Sequence, residues 1–149
     1  MENEKYKQTE EALAEIYRNA QLALQSISNI LPQVDDSETR AQLEEQHEEY
    51  ERFSAKAAIL AKNKGIELKE PNPFKKAMMW GSIKMNTMTD NSRSHIAEMM
   101  IKGATMGITE ATKLLRESEN SSCSEEALSL ARRLIKYEEE SIDRLKKFL

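Results

Sequence analysis

The chain has 149 residues, of which 32% are charged and 39% hydrophobic, with four glycines, three prolines and a net charge of −4. That mix suits a single helix-rich domain over 1–149 and excludes a disordered or fibrous chain. The interspersed, mildly acidic charge offers no basic stripe for phosphates, which excludes nucleic acid as partner, and the lone Cys123 excludes an internal disulfide framework.

The opening residues, Met-Glu-Asn-Glu-Lys-Tyr, are polar and acidic and do not read as a signal peptide. No apolar run reaches the roughly 20 residues of a membrane helix, so the expectation is a cytoplasmic protein with no membrane association. The first helical segment runs over about 4–31 and stops at Pro32. Its apolar stripe is Ala12, Leu13, Ile16, Ala20, Ala23, Leu24, Ile27 and Ile30, with Asn19 at the edge and Glu15 farther out. Asp35 and Glu38 form a capping-box-like start for a second segment over 36–64, which ends in basic residues and Gly65. Its stripe carries Leu43, Tyr50, Phe53, Ala57, Leu60 and Ala61, with Gln46 and His47 among them.

Asn72-Pro73 opens a shorter crossover helix over 73–88, because proline suits a first helical position. Phe74, Ala77, Met78, Gly81, Met85 and Met88 form one apolar face, while Met79, Trp80 and Ile83 point the other way. Two apolar faces on one surface helix ask for a second burial partner. A homodimer or protein contact through Met79, Trp80 and Ile83 is therefore expected.

Thr89-Asp90-Asn91 starts a long segment over 90–119, with a stripe of Ile96, Met99, Met100, Gly103, Met106, Gly107, Ala111 and Leu114. The methionines read as core fillers, and the two glycines as points of close approach by a neighbour. Ser122 with Glu125 signals a last helix over 123–148, with Cys123 a bystander at its start. Its stripe is Ala127, Leu130, Ala131, Leu134, Leu145 and Phe148, interrupted by Glu138 and Ser141.

Four long segments of about 25–28 residues, each roughly 40 Å long, make this an all-α chain. Short loops join the first two and the last two into antiparallel hairpins, and the long crossover links the hairpins. A lone buried carboxylate is costly, so Glu138 needs partners. Level counting predicts a mid-bundle polar cluster of Gln46, His47, Tyr50, Glu138 and Ser141, beside Gly103 of the third long helix.

Glu44-Glu45-Gln46-His47 contains Glu-x-x-His. With the two-hairpin order, it resembles the ferritin-like four-helix-bundle proteins, in which two helices each give a Glu and two each give Glu-x-x-His to a di-iron centre. The resemblance implies Glu44, His47 and Glu138 as metal ligands, with Glu98 and Glu110 as weaker candidates. The sequence also departs from that pattern. Ser141 stands where the second His belongs, and the first helix has no interior carboxylate. The implied function is therefore a non-enzymatic structural or interaction protein without cofactor, with stress- or spore-associated bundles as analogy. The alternative is a reduced metal site for iron, manganese or zinc.

Overall fold

The computed structural model describes residues 2–69, 90–119 and 121–149, with side chains from Lys7 onward. Four long helices account for most of it: α1 (Glu2–Ile30), α2 (Ser37–Asn63), α3 (Arg93–Glu119) and α4 (Glu125–Leu145). Among the described residues there is no strand. None of the described helices is long and apolar enough to cross a membrane. The segment expected as a crossover helix, with Met79, Trp80 and Ile83, lies outside the described residues.

Local chemistry sets each helix end. After α1 the chain makes one 3-10 turn, Leu31–Gln33, around Pro32. Arg40 then reaches back from α2 to donate to the Leu31 and Val34 carbonyls at 3.0 and 2.7 Å. The cap of α2 is Asp36, one residue beyond the expected Asp35. Its carboxylate accepts from the Thr39 backbone N–H at 2.8 Å and from the Thr39 hydroxyl at 2.6 Å.

At the other end of α2, Gly65 takes φ +71. Gly65 N–H donates to the Lys62 carbonyl and Ile66 N–H to the Ala61 carbonyl. This paired bonding closes the last turn, and the left-handed residue it needs is the one glycine tolerates. Ile66 is thereby turned inward, 5% exposed, onto Ala61 and Leu13.

The start of α4 also differs from the sequence reading. Ser124, not Ser122, flanks the helix, and its own side chain makes no cap bond. Thr9 of α1 does that work from across the bundle, its hydroxyl accepting from the Ser124 N–H at 3.0 Å. A helix end that lacks a local cap is here satisfied by a tertiary one.

These end contacts fix the helix directions. The beginning of α1 meets the beginning of α4 through Thr9 and Ser124. At the opposite end, Arg93 opens α3 beside Asp36, which opens α2, with bonds of 3.0 and 2.7 Å. Asn91 also donates to the Gln33 carbonyl. So α2 and α3 start at the same end and run parallel, and α1 and α4 run against them.

The core is built from seam positions spaced three and four apart, which a pair of packed helices keeps in register. In α4 these are Ala127, Ala131, Leu134, Glu138, Ser141 and Leu145, all buried. In α2 they are Thr39, Leu43, Gln46, Tyr50, Phe53, Ala57 and Ala61. Leu13, Ile16, Ile27 and Ile30 of α1 and Ile96 of α3 fill the space between them, each at most 1% exposed. Full burial of such a side chain stabilises by about 1.5–3 kcal/mol relative to exposure.

Candidate functional site

Halfway along the core, one seam position of α4 carries a carboxylate instead of a hydrocarbon. Glu138 is 1% exposed. Asn19 of α1 donates its Nδ2 to Oε1 at 3.0 Å, and Tyr50 of α2 donates its hydroxyl to Oε2 at 3.0 Å. Asn19 Nδ2 also donates to the Gly107 carbonyl of α3 at 3.2 Å. Each of the four helices therefore contributes one member: Asn19, Tyr50, Gly107 and Glu138.

Gly107 holds its place because a side chain does not fit. A Cβ there would lie 2.5 Å from Glu138 Oε2 and 2.9 Å from both Glu138 Oε1 and Asn19 Nδ2. The cluster thus occupies the volume that a residue on α3 would otherwise fill. Gly103, expected at this level, is exposed and has nothing within 4 Å of where its Cβ would be. The cluster lies one turn farther along α3 than level counting places it.

No cation contributes to the hydrogen bonds that Glu138 receives, and the electrostatics follow from that. Burial pushes the Glu138 carboxyl up to about 7, opposed by the bonds from Asn19 and Tyr50 and assisted by the nearby Glu15 carboxylate. Burial likewise raises the Tyr50 hydroxyl well above its ordinary value, and the charge of Glu138 adds to the rise. An aromatic wall backs the pair. The Tyr137 ring stands edge-on to Tyr50 at 5.7 Å, and Phe53 packs on Tyr137 at 5.8 Å. Arg144 lies over Tyr137, 5.3 Å from the ring centroid, and donates to Ser141 at 3.1 Å.

The residues named from sequence divide into two groups. Tyr50 and Glu138 meet directly. Gln46 and Ser141 are buried on the same seams but are not among the donors to Glu138. His47 lies apart, on the flank of its helix with its side chain 30% exposed. Its Nδ1 is 2.7 Å from Glu51, and its Nε2 is 3.4 Å from the Ser28 hydroxyl. The stripe of α2 is narrower than the sequence reading allowed: Gln46 takes the interior seam and leaves the next residue at the rim.

The metal candidates are also dispersed. Glu44 is exposed. Glu98 is exposed and pairs with Lys102 at 3.2 Å, and Glu110 is exposed and lies 3.9 Å from Lys113. Among the described residues no three of His, Cys, Asp and Glu come together as a metal site. The two oxygens of Glu138 already face an amide and a hydroxyl. These residues do not fit the di-iron centre that the ferritin-like resemblance implies.

Asn19 and Gly107 are the members that sequence reasoning missed as partners of Glu138. Their signal was positional, since both fall on three-four seams: Asn19 after Ala12 and Ile16, Gly107 after Met100 and Ala104. Cys123 is half-buried, and burial pushes its thiol up rather than down. Comparison with family models, with curated proteins and with solved structures returns no match for this chain.

Proposed function

We propose that this chain is a ferritin-like helical bundle with a non-enzymatic, structural or protein-interaction role, its buried acid serving to fix packing rather than to hold metal. The observation that carries the reading is the environment of Glu138. Neutral donors meet both oxygens, and the absent side chain at Gly107 leaves room for the carboxylate itself. A buried polar network of this kind can set one register among several that an all-apolar seam would tolerate. The common starting end of α2 and α3, fixed by Asp36 and Arg93, supports the ferritin-like order of two hairpins and a crossover. A stress- or spore-associated setting rests on that architecture by analogy.

Metal content tests the reading. The protein is purified without chelators, loaded in turn with Fe²⁺, Mn²⁺ and Zn²⁺, desalted and measured by mass spectrometry. The expected result is far less than one ion per chain for every metal, unchanged in Glu138→Gln. Stoichiometric binding that disappears in Glu138→Gln would replace this reading with the reduced metal site.

A further inference from the structure

Below the aromatic wall, α2 and α4 part to leave a groove of about 430 Å³. Its apolar floor is Leu60 and Leu130 with Ile59, and Ile59 is 59% exposed, one of three large hydrophobic side chains so placed among the described residues. The Tyr50–Glu138 bond sets the register of the two antiparallel helices. Moving away from that bond, Lys56 and Arg133 come first, then Ile59, Leu60 and Leu130, and finally Glu125 and Glu126. The groove is therefore polar at both ends, cationic at one and anionic at the other, with an apolar centre.

The lining charges are ordered by sign along the groove, Lys56 and Arg133 at one end and Glu125 and Glu126 at the other. Glu125 takes Arg132 at 3.1 Å. Lys56, Arg133 and Glu126 have no ion-pair partner among the described residues. A two-fold axis crossing the groove at its centre would lay the cationic end of one copy on the anionic end of the other, and would stack Ile59 on Ile59. A two-fold contact must match a surface to itself, and this charge order meets that condition without any second patch.

We propose that this groove is a homodimer interface, with a second copy of the chain, turned about a two-fold axis, as its occupant. The surface differs from the one around Trp80 expected from sequence. The proposal rests on the interaction-protein reading above, yet it is tested separately, because metal content and self-association are independent measurements. The apolar centre is small, so the dimer belongs to the weak class, with a Kd on the order of tens of micromolar. Charge pairing then makes it salt-sensitive.

Sedimentation velocity over a concentration series tests this, with circular dichroism confirming that each variant is folded. The wild type is expected to dimerise, Ile59→Glu to raise Kd about tenfold or more, and higher salt to weaken association. Lys56→Glu with Arg133→Glu makes both ends of the groove acidic. Glu125→Lys with Glu126→Lys makes both ends basic. Each double variant alone should be monomeric, and an equimolar mixture should recover dimer. A wild type that stays monomeric up to several hundred micromolar (far above the Kd expected of this class) overturns the proposal. So does a dimer indifferent to Ile59→Glu, or a mixture of folded double variants that fails to associate.

Discussion

Glu138 holds a carboxyl where the seam of α4 would otherwise place a leucine or alanine, and its protonation is tied to folding. The unfolded chain releases this proton near the ordinary value of 4.5, and the folded chain near 7. The native state therefore binds the proton more tightly, so the group's contribution is fully present below about pH 4.5 and is lost as pH rises to about 7. Each unit corresponds to about 1.4 kcal/mol, so the loss across that window is about 3 kcal/mol. Glu138→Gln keeps an acceptor for Asn19, offers its amide N–H to the Tyr50 hydroxyl oxygen in place of the acceptor that Tyr50 has in the wild type, and cannot ionise. Denaturant unfolding at several pH values should show the variant gaining on the wild type by about that amount between pH 5 and 8. A constant difference would refute the assignment. Asp36 works in the opposite sense and in another window. Arg93, then Thr39, hold its carboxyl below the usual carboxylate range, so its contribution is lost only as the solution becomes strongly acidic. At this scale the sequence was half legible. A carboxylate and a tyrosine on seam positions announced a buried pair, whereas an asparagine and a glycine on facing seams carry no charge to draw attention. His47 was misplaced because helical spacing puts rim and interior residues only one position apart.

Among the helices, α3 offers the sharpest contrast, because two of its glycines lie one turn apart in opposite environments. Gly103 is exposed and open, so alanine there should add helix propensity and stabilise by about 0.5–1 kcal/mol. Gly107 faces the carboxylate at distances no Cβ can occupy. Alanine there must push α3 off α4 or break the Asn19 and Tyr50 bonds, at about 2–4 kcal/mol. Thermal unfolding of the two variants should move the melting temperature in opposite directions. Two shifts of the same sign would mean that the cluster does not constrain α3. The extents of the helices were readable because glycine, proline and apolar period punctuate them. The caps were less so. Thr9 caps α4 from α1, and the Asp36 that caps α2 also meets Arg93 of α3. Such choices depend on what lies across the bundle, and local sequence does not contain that.

For the molecule as a whole, the all-α class follows from periodicity, and helix direction follows from a few ties at the ends. The far end is held by Arg93, which bonds Asp36 and lies 5.1 Å from the centroid of Phe148, so the starts of α2 and α3 meet the tail of α4. The near end is held by Thr9 and by the inward-turned Ile66. The resemblance to di-iron proteins rested on Glu-x-x-His, and the faces of α2 separate that motif from the interior: Glu44 is in solvent, His47 at the rim.

The four-helix meeting at Glu138 also bears on the order in which the chain organises itself. Its bonds join residues 119 and 88 positions apart in sequence. Both join one hairpin to the other, whereas each hairpin closes through a short loop. Local hairpins can therefore be well formed before the acid is enclosed, and the enclosure belongs to the native side of the barrier. Tyr50→Phe should then speed unfolding while leaving refolding almost unchanged, with a φ-value below about 0.3 in stopped-flow experiments. A value near 1 would place the cluster in the folding nucleus. The buried acid then acts chiefly as a latch, governing how long the folded bundle lasts more than how quickly it forms.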